Sequence, residues 1–349
     1  MPYSTDFRDR DFILTPEVFF FCVVGNIHPK DRVIAYIKYI QDDTGRWGRT
    51  RRFRRILESY TTPSVKRTLQ VIEEKNHEYL FKSDILSLAM SAVPLERIQK
   101  HFRPEEKLRN LLNERNEIDP LEEKAIKLVK EISAESGVPS RFFGITGSIL
   151  LGIHNPEFSD LDLTVYGTEN TFYIKEAMQS LYKQGGLRRF KGKYLDEWAE
   201  RKATQFPHYP EEAKKLYKRM WNRGFFNGTL FSIHPVKLNK EVKEVYGDRI
   251  YIPKDIVTIR ARITDTDEAF FLPARYGLDN VTVANRVQSG ITDVTSYNGF
   301  YCDLFKKGEY IEARGKLEEV RDLRRNLIHK RLLVGSFEAG GTDYMKPLI

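Results

Sequence analysis

Apolar residues follow different spacings along this chain, and each spacing predicts a different kind of element. Residues 18–24 and 33–40 are rich in β-branched and aromatic side chains and are separated by turn residues. This pattern predicts a β-hairpin within residues 12–40. Apolar residues at helical spacing then predict helices in series across residues 63–118. The positions that carry this prediction are Val65, Leu69 and Ile72, Leu95 and Ile98, and Leu108, Leu111 and Leu112, in segments broken by Pro94 and Pro104.

The next helix has recognisable signals at both ends. Asp119 supplies a capping side chain, Pro120 occupies the first helical position and Glu122 adds an acid to the first turn. Gly137 marks the exit of this helix, which we expect to be scaffold. The same spacing predicts another helix at about residues 171–182.

Toward the end of the chain the spacing changes to strict alternation of apolar and polar residues. The alternating apolar positions are Val257, Ile259, Ala261 and Ile263, and later Ile311, Ala313, Gly315 and Leu317. This alternation predicts a small β-barrel-like domain or a curled antiparallel sheet. Three regions follow from these patterns: a β-hairpin and helical region at 1–118, a core at 119–237 and an antiparallel β domain at 238–349.

The core region contains an apolar strand, a Gly-Ser turn and a second strand with two carboxylates. Asp160 and Asp162 are two positions apart, so on a strand they point to the same face. Two adjacent carboxylates favour a divalent cation, and hard oxygen ligands favour Mg²⁺. Gly147 allows a ligand to approach the backbone closely, and Ser148 offers a hydroxyl beside the free N–H groups of a helix start.

The Gly147-Ser148 pair, followed after eleven residues by Asp160-Leu161-Asp162, resembles the signature of the DNA-polymerase-β-like nucleotidyltransferase superfamily. The resemblance covers roughly residues 119–236, and the whole chain is similar to archaeal predicted nucleotidyltransferases. It implies an α+β fold with a polymerase-β-like core of mixed sheet and helices. It also implies that Gly147 and Ser148 hold a nucleoside triphosphate and that Asp160 and Asp162 hold two Mg²⁺ ions. The alternative interpretation is a βα turn and a strand whose edge carries two solvated acids.

One strand departs from the pattern of this superfamily, which places a third carboxylate there. Residues 225–234 contain no Asp or Glu. If Phe231 and Ile233 face the core, Ser232 and His234 face the cleft. His234 is therefore a candidate general base near neutral pH, although a hydrogen-bonded structural role is the commoner one for such a histidine.

Basic residues outnumber acidic ones, 57 to 49, which gives a net charge of +8 and favours an anionic partner. One concentration lies in residues 46–55, where Arg46, Trp47, Arg49, Arg51 and Arg52 combine positive charge with an aromatic ring. A second lies between Leu181 and Arg223 and includes Arg188, Arg189 and Lys191. Both are candidate nucleic-acid contacts, the second as a lid or channel wall beside the cleft. The alternative in each case is a solvated basic surface.

Other functional classes receive little support from the sequence. The two cysteines, Cys22 and Cys302, are too few for a disulfide framework or a cysteine-rich metal site, and the histidines lack the paired spacing of a zinc site. No segment resembles a signal peptide, and the longest apolar run, 18–24, is too short to cross a bilayer. We therefore expect a cytoplasmic protein that does not bind a membrane; the oligomeric state is not specified by these patterns.

The function expected from the sequence is Mg²⁺-dependent transfer of a nucleoside monophosphate from a nucleoside triphosphate to a hydroxyl acceptor. The basic segments favour RNA, with a tRNA-like end, as the acceptor. Two alternatives stay open: a nucleotide- or RNA-binding protein that has lost turnover, and an antitoxin-like protein that binds a second chain.

Overall fold

A computed structural model describes residues 7–57, 62–113, 118–284, 286–287 and 290–348. Within these ranges the protein is mixed α+β, with seven α-helices and three β-sheets. None of the described helices has the length and apolar character that crossing a membrane requires. The mixed α+β class predicted from the sequence is confirmed.

The first sheet is N-terminal and antiparallel throughout its described strands. Its strand order is β5-β6-β3-β2-β1-β7, and β4 pairs with β3. The strands are β1 (Phe12–Leu14), β2 (Phe19–Val23), β3 (Arg32–Gln41), β4 (Phe53–Arg55), β5 (Leu80–Ser83), β6 (Leu88–Pro94) and β7 (Lys100–Phe102). The predicted hairpin is confirmed as β2 and β3, which are neighbours in this sheet.

The predicted series of helices across residues 63–118 is wrong in its middle part. Helices α1 (Thr62–Lys75) and α2 (Pro104–Asn113) form, but β5, β6 and β7 lie between them, and Leu95 begins a single 3₁₀ turn that ends at Arg97. The last four residues of β6 are all buried, so they show no strand alternation. An apolar run buried on both faces cannot be assigned from periodicity, and pairing with β3 decides its conformation.

The second sheet has the order β10-β11-β9-β8. Its strands are β8 (Phe143–Ile145), β9 (Leu161–Tyr166), β10 (Arg223–Phe226) and β11 (Thr229–Val236), and its helices are α3 (Pro120–Ser136), α4 (Gly147–Leu150) and α5 (Thr168–Gln184). The predicted start and end of α3 are confirmed, because Asp119 forms a capping box and Gly137 adopts a φ of 70°. Leu108 and Leu111 of α2 pack into this core as well.

The register of the second sheet aligns three polar residues on one face. Strand β11 runs parallel to β9 and antiparallel to β10. Ser232 therefore lies opposite Asp162 on one side and Arg223 on the other. Phe231 and Ile233, on the opposite face, are completely buried, as the sequence predicted.

The third sheet closes on itself as a ring, because β12 pairs with both β13 and β16. Its strands are β12 (Arg249–Asp265), β13 (Ala274–Val283), β14 (Arg286–Val287), β15 (Ile291–Ser296), β16 (Tyr310–Asp322), β17 (Leu327–Val334) and β18 (Tyr344–Pro347). The sheet is not wholly antiparallel as predicted, since β15 and β17 are parallel. The second basic segment, residues 181–223, is called the basic insertion below. Its two helices, α6 (Gly192–Gln205) and α7 (Pro210–Arg219), share the hydrophobic core of this ring.

Candidate functional site

The two predicted carboxylates lie on the wall of a large cavity. Asp160 immediately precedes β9, and Asp162 is the second residue of that strand. Both line a cavity of about 1440 Å³ whose walls come from all three sheets. The carboxylates are therefore accessible to a ligand of nucleotide size.

The electrostatic environment separates the two acids. Burial and the negative charge of Asp162 raise the pKa of Asp160 to about 6, against the opposing effect of Lys38 and Arg55. Burial also disfavours ionisation of Asp162, but the nearby His234 imidazole, the charge of Lys38 and the Ser232 hydroxyl outweigh it and lower the pKa of Asp162 below its usual range. Asp162 is thus an anion at neutral pH, and a cation beside the pair would favour ionisation of Asp160 as well.

Ser232 and His234 extend the carboxylate site along β11. The Ser232 hydroxyl donates a hydrogen bond to Asp162 Oδ1 at 2.5 Å and lies 2.8 Å from His234 Nε2. Because its single proton points to Asp162, the geometry assigns the imidazole proton to Nε2, from which it is donated to the Ser232 oxygen. Burial and the positive charge of Arg10 lower the pKa of His234 to about 4. His234 is therefore a neutral imidazole at pH 7 and a weak base.

The Gly-Ser corner lies directly against Asp162. Gly147 has a φ of +69°, and a Cβ atom built on it would be 2.6 Å from Asp162 Oδ2. Both features require glycine at this position. The neighbouring Thr146 N–H donates to the Asp162 carbonyl at 2.9 Å. The structure therefore brings together the glycine and the carboxylate that the sequence singled out.

Ser148 lies farther from the cavity than the sequence predicted. Its side chain is buried and its hydroxyl donates to Ser159 Oγ at 3.4 Å, in the loop that leads to Asp160. It is not among the residues that line the cavity. In this conformation the Ser148 hydroxyl supports the loop before Asp160.

The arginine-rich segment after β3 packs on the same loop. The Arg46 guanidinium lies 4.6 Å from the ring centroid of Phe158, and the Trp47 ring meets that of Phe158 edge-on at 5.5 Å. Trp47 also contacts Tyr39, so its ring is part of a packed aromatic group. The remaining predicted contacts, Arg49, Arg51 and Arg52, are exposed.

The basic insertion contributes cations to the cavity, but they are different residues from those predicted. Arg188, Arg189 and Lys191 do not line it, and Arg189 instead donates to the Met220 carbonyl at 2.7 Å. The insertion residues that do line the cavity include Tyr194, Trp198, Arg201, Lys202, Gln205 and Arg223. The first five share one face of α6, and the i, i+4, i+7, i+8, i+11 spacing is the sequence signal that would have found them.

Among the described residues, one other group of carboxylates and imidazole could hold a metal ion. The ligand atoms of Asp119, Glu122 and His154 lie within 4.8 Å of one another. Asp119, however, caps α3 and bonds His154, and Glu122 pairs with Lys107 at 2.7 Å. These bonds show that the three side chains stabilise the N-terminus of α3.

Comparison with known proteins places the chain in a family. No family model matches it, and no solved structure matches it. The uncharacterized protein MJ1086 of Methanocaldococcus jannaschii is 30% identical over 348 residues, which cover 97% of this chain and 98% of that protein. The chain belongs to the MJ1086 family. The similarity extends over nearly the full length of both proteins. It therefore includes the parts of the chain that form all three sheets, and not only the strand that carries Asp162.

Proposed function

We propose that this protein is a Mg²⁺-dependent nucleotidyltransferase that moves a nucleoside monophosphate from a nucleoside triphosphate to a hydroxyl acceptor. The observation that carries the proposal is that Asp160 and Asp162 line a cavity of about 1440 Å³, with Asp162 packed against Gly147. The chain order α3-β8-α4-β9-α5, continued after α6 and α7 by β10-β11, supports a polymerase-β-like core. A strand, a Gly-Ser turn and an Asp-x-Asp strand occur there in the order that the resemblance implies.

The residues at this site fit magnesium. Asp160 and Asp162 offer hard carboxylate oxygens, and burial together with mutual repulsion raises the pKa of Asp160 to about 6. A divalent cation would relieve that repulsion. When bound, Mg²⁺ would neutralise charge on the phosphates and lower the pKa of the attacking hydroxyl.

The protein's own groups position the reactants. Gly147 lets the Asp162 carboxylate pack against the backbone, which fixes the position of that carboxylate. Ser232 fixes the orientation of the Asp162 carboxylate, and His234 in turn holds Ser232. His234 is a positioning residue in this proposal, because its neutral, weakly basic imidazole bonds Ser232. Fixed positions and pre-oriented charge are the main protein contributions to phosphoryl transfer.

RNA is the acceptor that the charge distribution favours. Cationic side chains outnumber carboxylates along the cavity wall, and they include Lys38, Arg55, Arg201 and Lys202. Such a surface attracts a polyanion and concentrates it near the site. A small neutral acceptor would not require this excess of positive charge.

The proposal is tested with Mg²⁺, each labelled nucleoside triphosphate in turn and a mixture of short RNAs. Wild-type protein should attach label to RNA, and Asp162→Asn should reduce the rate by about a hundredfold or more, because a fixed charge at the reacting centre is lost. His234→Gln should retain more activity than Asp162→Asn. Equal activity of Asp162→Asn and wild type would reject the proposed site.

One observation favours a second candidate, a nucleotide- or RNA-binding protein without turnover. The strand opposite Asp162 carries Ser232 and His234 where the superfamily places its third carboxylate. Without that carboxylate the proton of the attacking hydroxyl has no strong acceptor among these residues. Tight triphosphate binding without label transfer to any RNA would support this candidate.

A further inference from the structure

We propose that Lys202 and Arg223, with Arg201 at the rim, form a phosphate-binding subsite for the polyphosphate tail of the substrate. The subsite belongs to the insertion and to β10, and not to the Gly-Ser corner. This inference deepens the proposed function and rests on it for the identity of the substrate. Its chemistry can be measured separately, because polyphosphate binding requires neither turnover nor an acceptor.

The three cations lack carboxylate partners in the described part of the chain. Arg223 Nε is buried without a hydrogen-bond partner there. The Lys202 ammonium bonds the neutral Gln205 side chain at 2.8 Å, and no described carboxylate forms an ion pair with it. The buried Arg331, by contrast, bonds Glu318 at 2.8 Å. The group in the cavity is therefore a concentration of uncompensated positive charge.

This concentration of positive charge destabilises the protein when no ligand is bound. Burial together with the charges of Arg223 and Arg201 lowers the pKa of Lys202 to about 7, and burial lowers the pKa of Arg223. The aromatic rings of Phe206 and Phe300 lie 5.5 and 5.8 Å from the Lys202 ammonium and help to exclude water from it. Buried charge without a partner is unfavourable, and a bound anion would relieve it.

The sheet places Arg223 at the distance from Asp162 that a polyphosphate requires. Arg223 lies opposite Ser232, which lies opposite Asp162, so Arg223 and Asp162 are two strands apart on one face. Neighbouring strands are separated by about 4.8 Å, which puts their backbones about 10 Å apart. A phosphate chain that begins beside the aspartates can therefore end at the Arg223 guanidinium and the Lys202 ammonium.

The type of cation indicates phosphate. A guanidinium binds phosphate oxygens through two parallel N–H bonds, whereas an ammonium acts as a point charge beside them. The aspartate pair at the other end of the row would repel a carboxylate ligand, but phosphates can share a magnesium ion with it. A ligand with several linked phosphates satisfies both ends of the site.

The test is isothermal titration of sodium tripolyphosphate into the full-length protein without magnesium. Arg223→Gln and Lys202→Gln should each weaken binding at least tenfold, because each removes one half-buried positive charge from the cavity wall. Lys215→Gln, on an exposed position of α7, should leave binding unchanged. Arg223→Lys keeps the positive charge but not the two parallel N–H donors of the guanidinium, and it should bind tripolyphosphate more tightly than Arg223→Gln does. Thermal unfolding of each variant checks that it is folded.

Failure of this subsite is distinguishable from failure of the proposed enzyme. Asp160→Asn should abolish label transfer while retaining or strengthening tripolyphosphate binding, because it removes a negative charge from the site. Absence of tripolyphosphate binding to wild type would overturn the subsite. So would equal binding by wild type, Arg223→Gln and Lys202→Gln. The variants Arg223→Gln and Lys202→Gln would also overturn the subsite if they lost affinity for a single-stranded RNA without a triphosphate but not for tripolyphosphate. That result would assign the cations to the acceptor backbone.

Discussion

Gly147 shows how a single residue can determine the geometry of the candidate site. Its positive φ and the 2.6 Å separation between a built Cβ and Asp162 Oδ2 leave no room for a side chain. The glycine therefore lets the Asp162 carboxylate pack directly against the backbone, and this contact fixes where the carboxylate lies.

Replacing Gly147 by alanine is expected to displace Asp162 and to destabilise the fold by about 1–2 kcal/mol, from the cost of left-handed backbone alone. Polyphosphate and Mg²⁺ binding should weaken together, as measured by titration. Gly185→Ala is the matched control, because Gly185 also has a positive φ but a Cβ there meets nothing within 4 Å. If both variants bind like wild type, Gly147 does not control the site.

His28 is expected to make stability depend on pH. Burial lowers its pKa from 6.5 to about 4, although a hydrogen bond to the Phe7 carbonyl opposes this. Between these values the unfolded chain binds a proton that the folded protein excludes, so stability falls as the pH drops. The contribution of His28 is roughly 1.4 kcal/mol per pH unit across that interval.

The measurement is the free energy of unfolding by denaturant at several pH values from 7 to 4. His28→Gln should flatten the dependence, whatever its effect at pH 7. His77 is exposed, so His77→Gln should leave the dependence as in wild type. An unchanged pH dependence in His28→Gln would assign the effect to other groups.

At the scale of elements, α3 illustrates how a local signal becomes part of the tertiary structure. Asp119 accepts bonds from the Leu121 and Glu122 N–H groups, and its second oxygen bonds the buried His154. The capping residue therefore also fixes the loop between α4 and β9, which leads to Asp160.

Asp119→Ala is expected to destabilise the protein by at least about 1 kcal/mol, the usual cost of losing an N-cap. The loss should exceed that of Asp119→Asn, which keeps an acceptor for the helix N–H groups. Denaturant unfolding measures both. Equal stability of the alanine variant and wild type would show that α3 does not depend on this cap.

At the scale of the whole molecule, the insertion joins the ring to the second sheet. Helices α6 and α7 pack into the ring's hydrophobic core, while β10 continues the second sheet. Asp303 of the ring accepts bonds from Trp221 Nε1 at 2.7 Å and from Lys175 at 2.8 Å. The insertion is therefore tied to both the ring and the second sheet, and some of its residues line the cavity.

Asp303→Ala is expected to lower the free energy of unfolding by roughly 1–3 kcal/mol, because it leaves the buried indole N–H without an acceptor. Asp303→Asn retains an acceptor and should lose less. Asp255→Ala, at an exposed position of β12, is the surface control. A loss in Asp303→Ala no larger than that in Asp255→Ala would indicate that the ring and the core are joined by other contacts.

The sequence predicted much of the candidate site because its signals are local. The Gly147 to Asp162 stretch, the cap of α3 and the outward position of Ser232 each follow from residues close together in the chain. The β-strands between α1 and α2 were missed, since a short apolar run buried on both faces fits a helix and a strand equally well. Arg223 and Lys202 were missed because charge counting identifies a basic segment and not the side chains that face a cavity.

The sequence by itself determined the mixed α+β class, the hairpin of β2 and β3, the limits of α3 and the pairing of a glycine corner with two aspartates. Only the tertiary structure decided which strands join the first sheet, that the third sheet closes into a ring and which cations face the aspartates. The physical reason is the range of the interactions. Caps, turns and periodicity act within a few residues, whereas strand pairing and the burial of charge depend on segments that are distant in the chain.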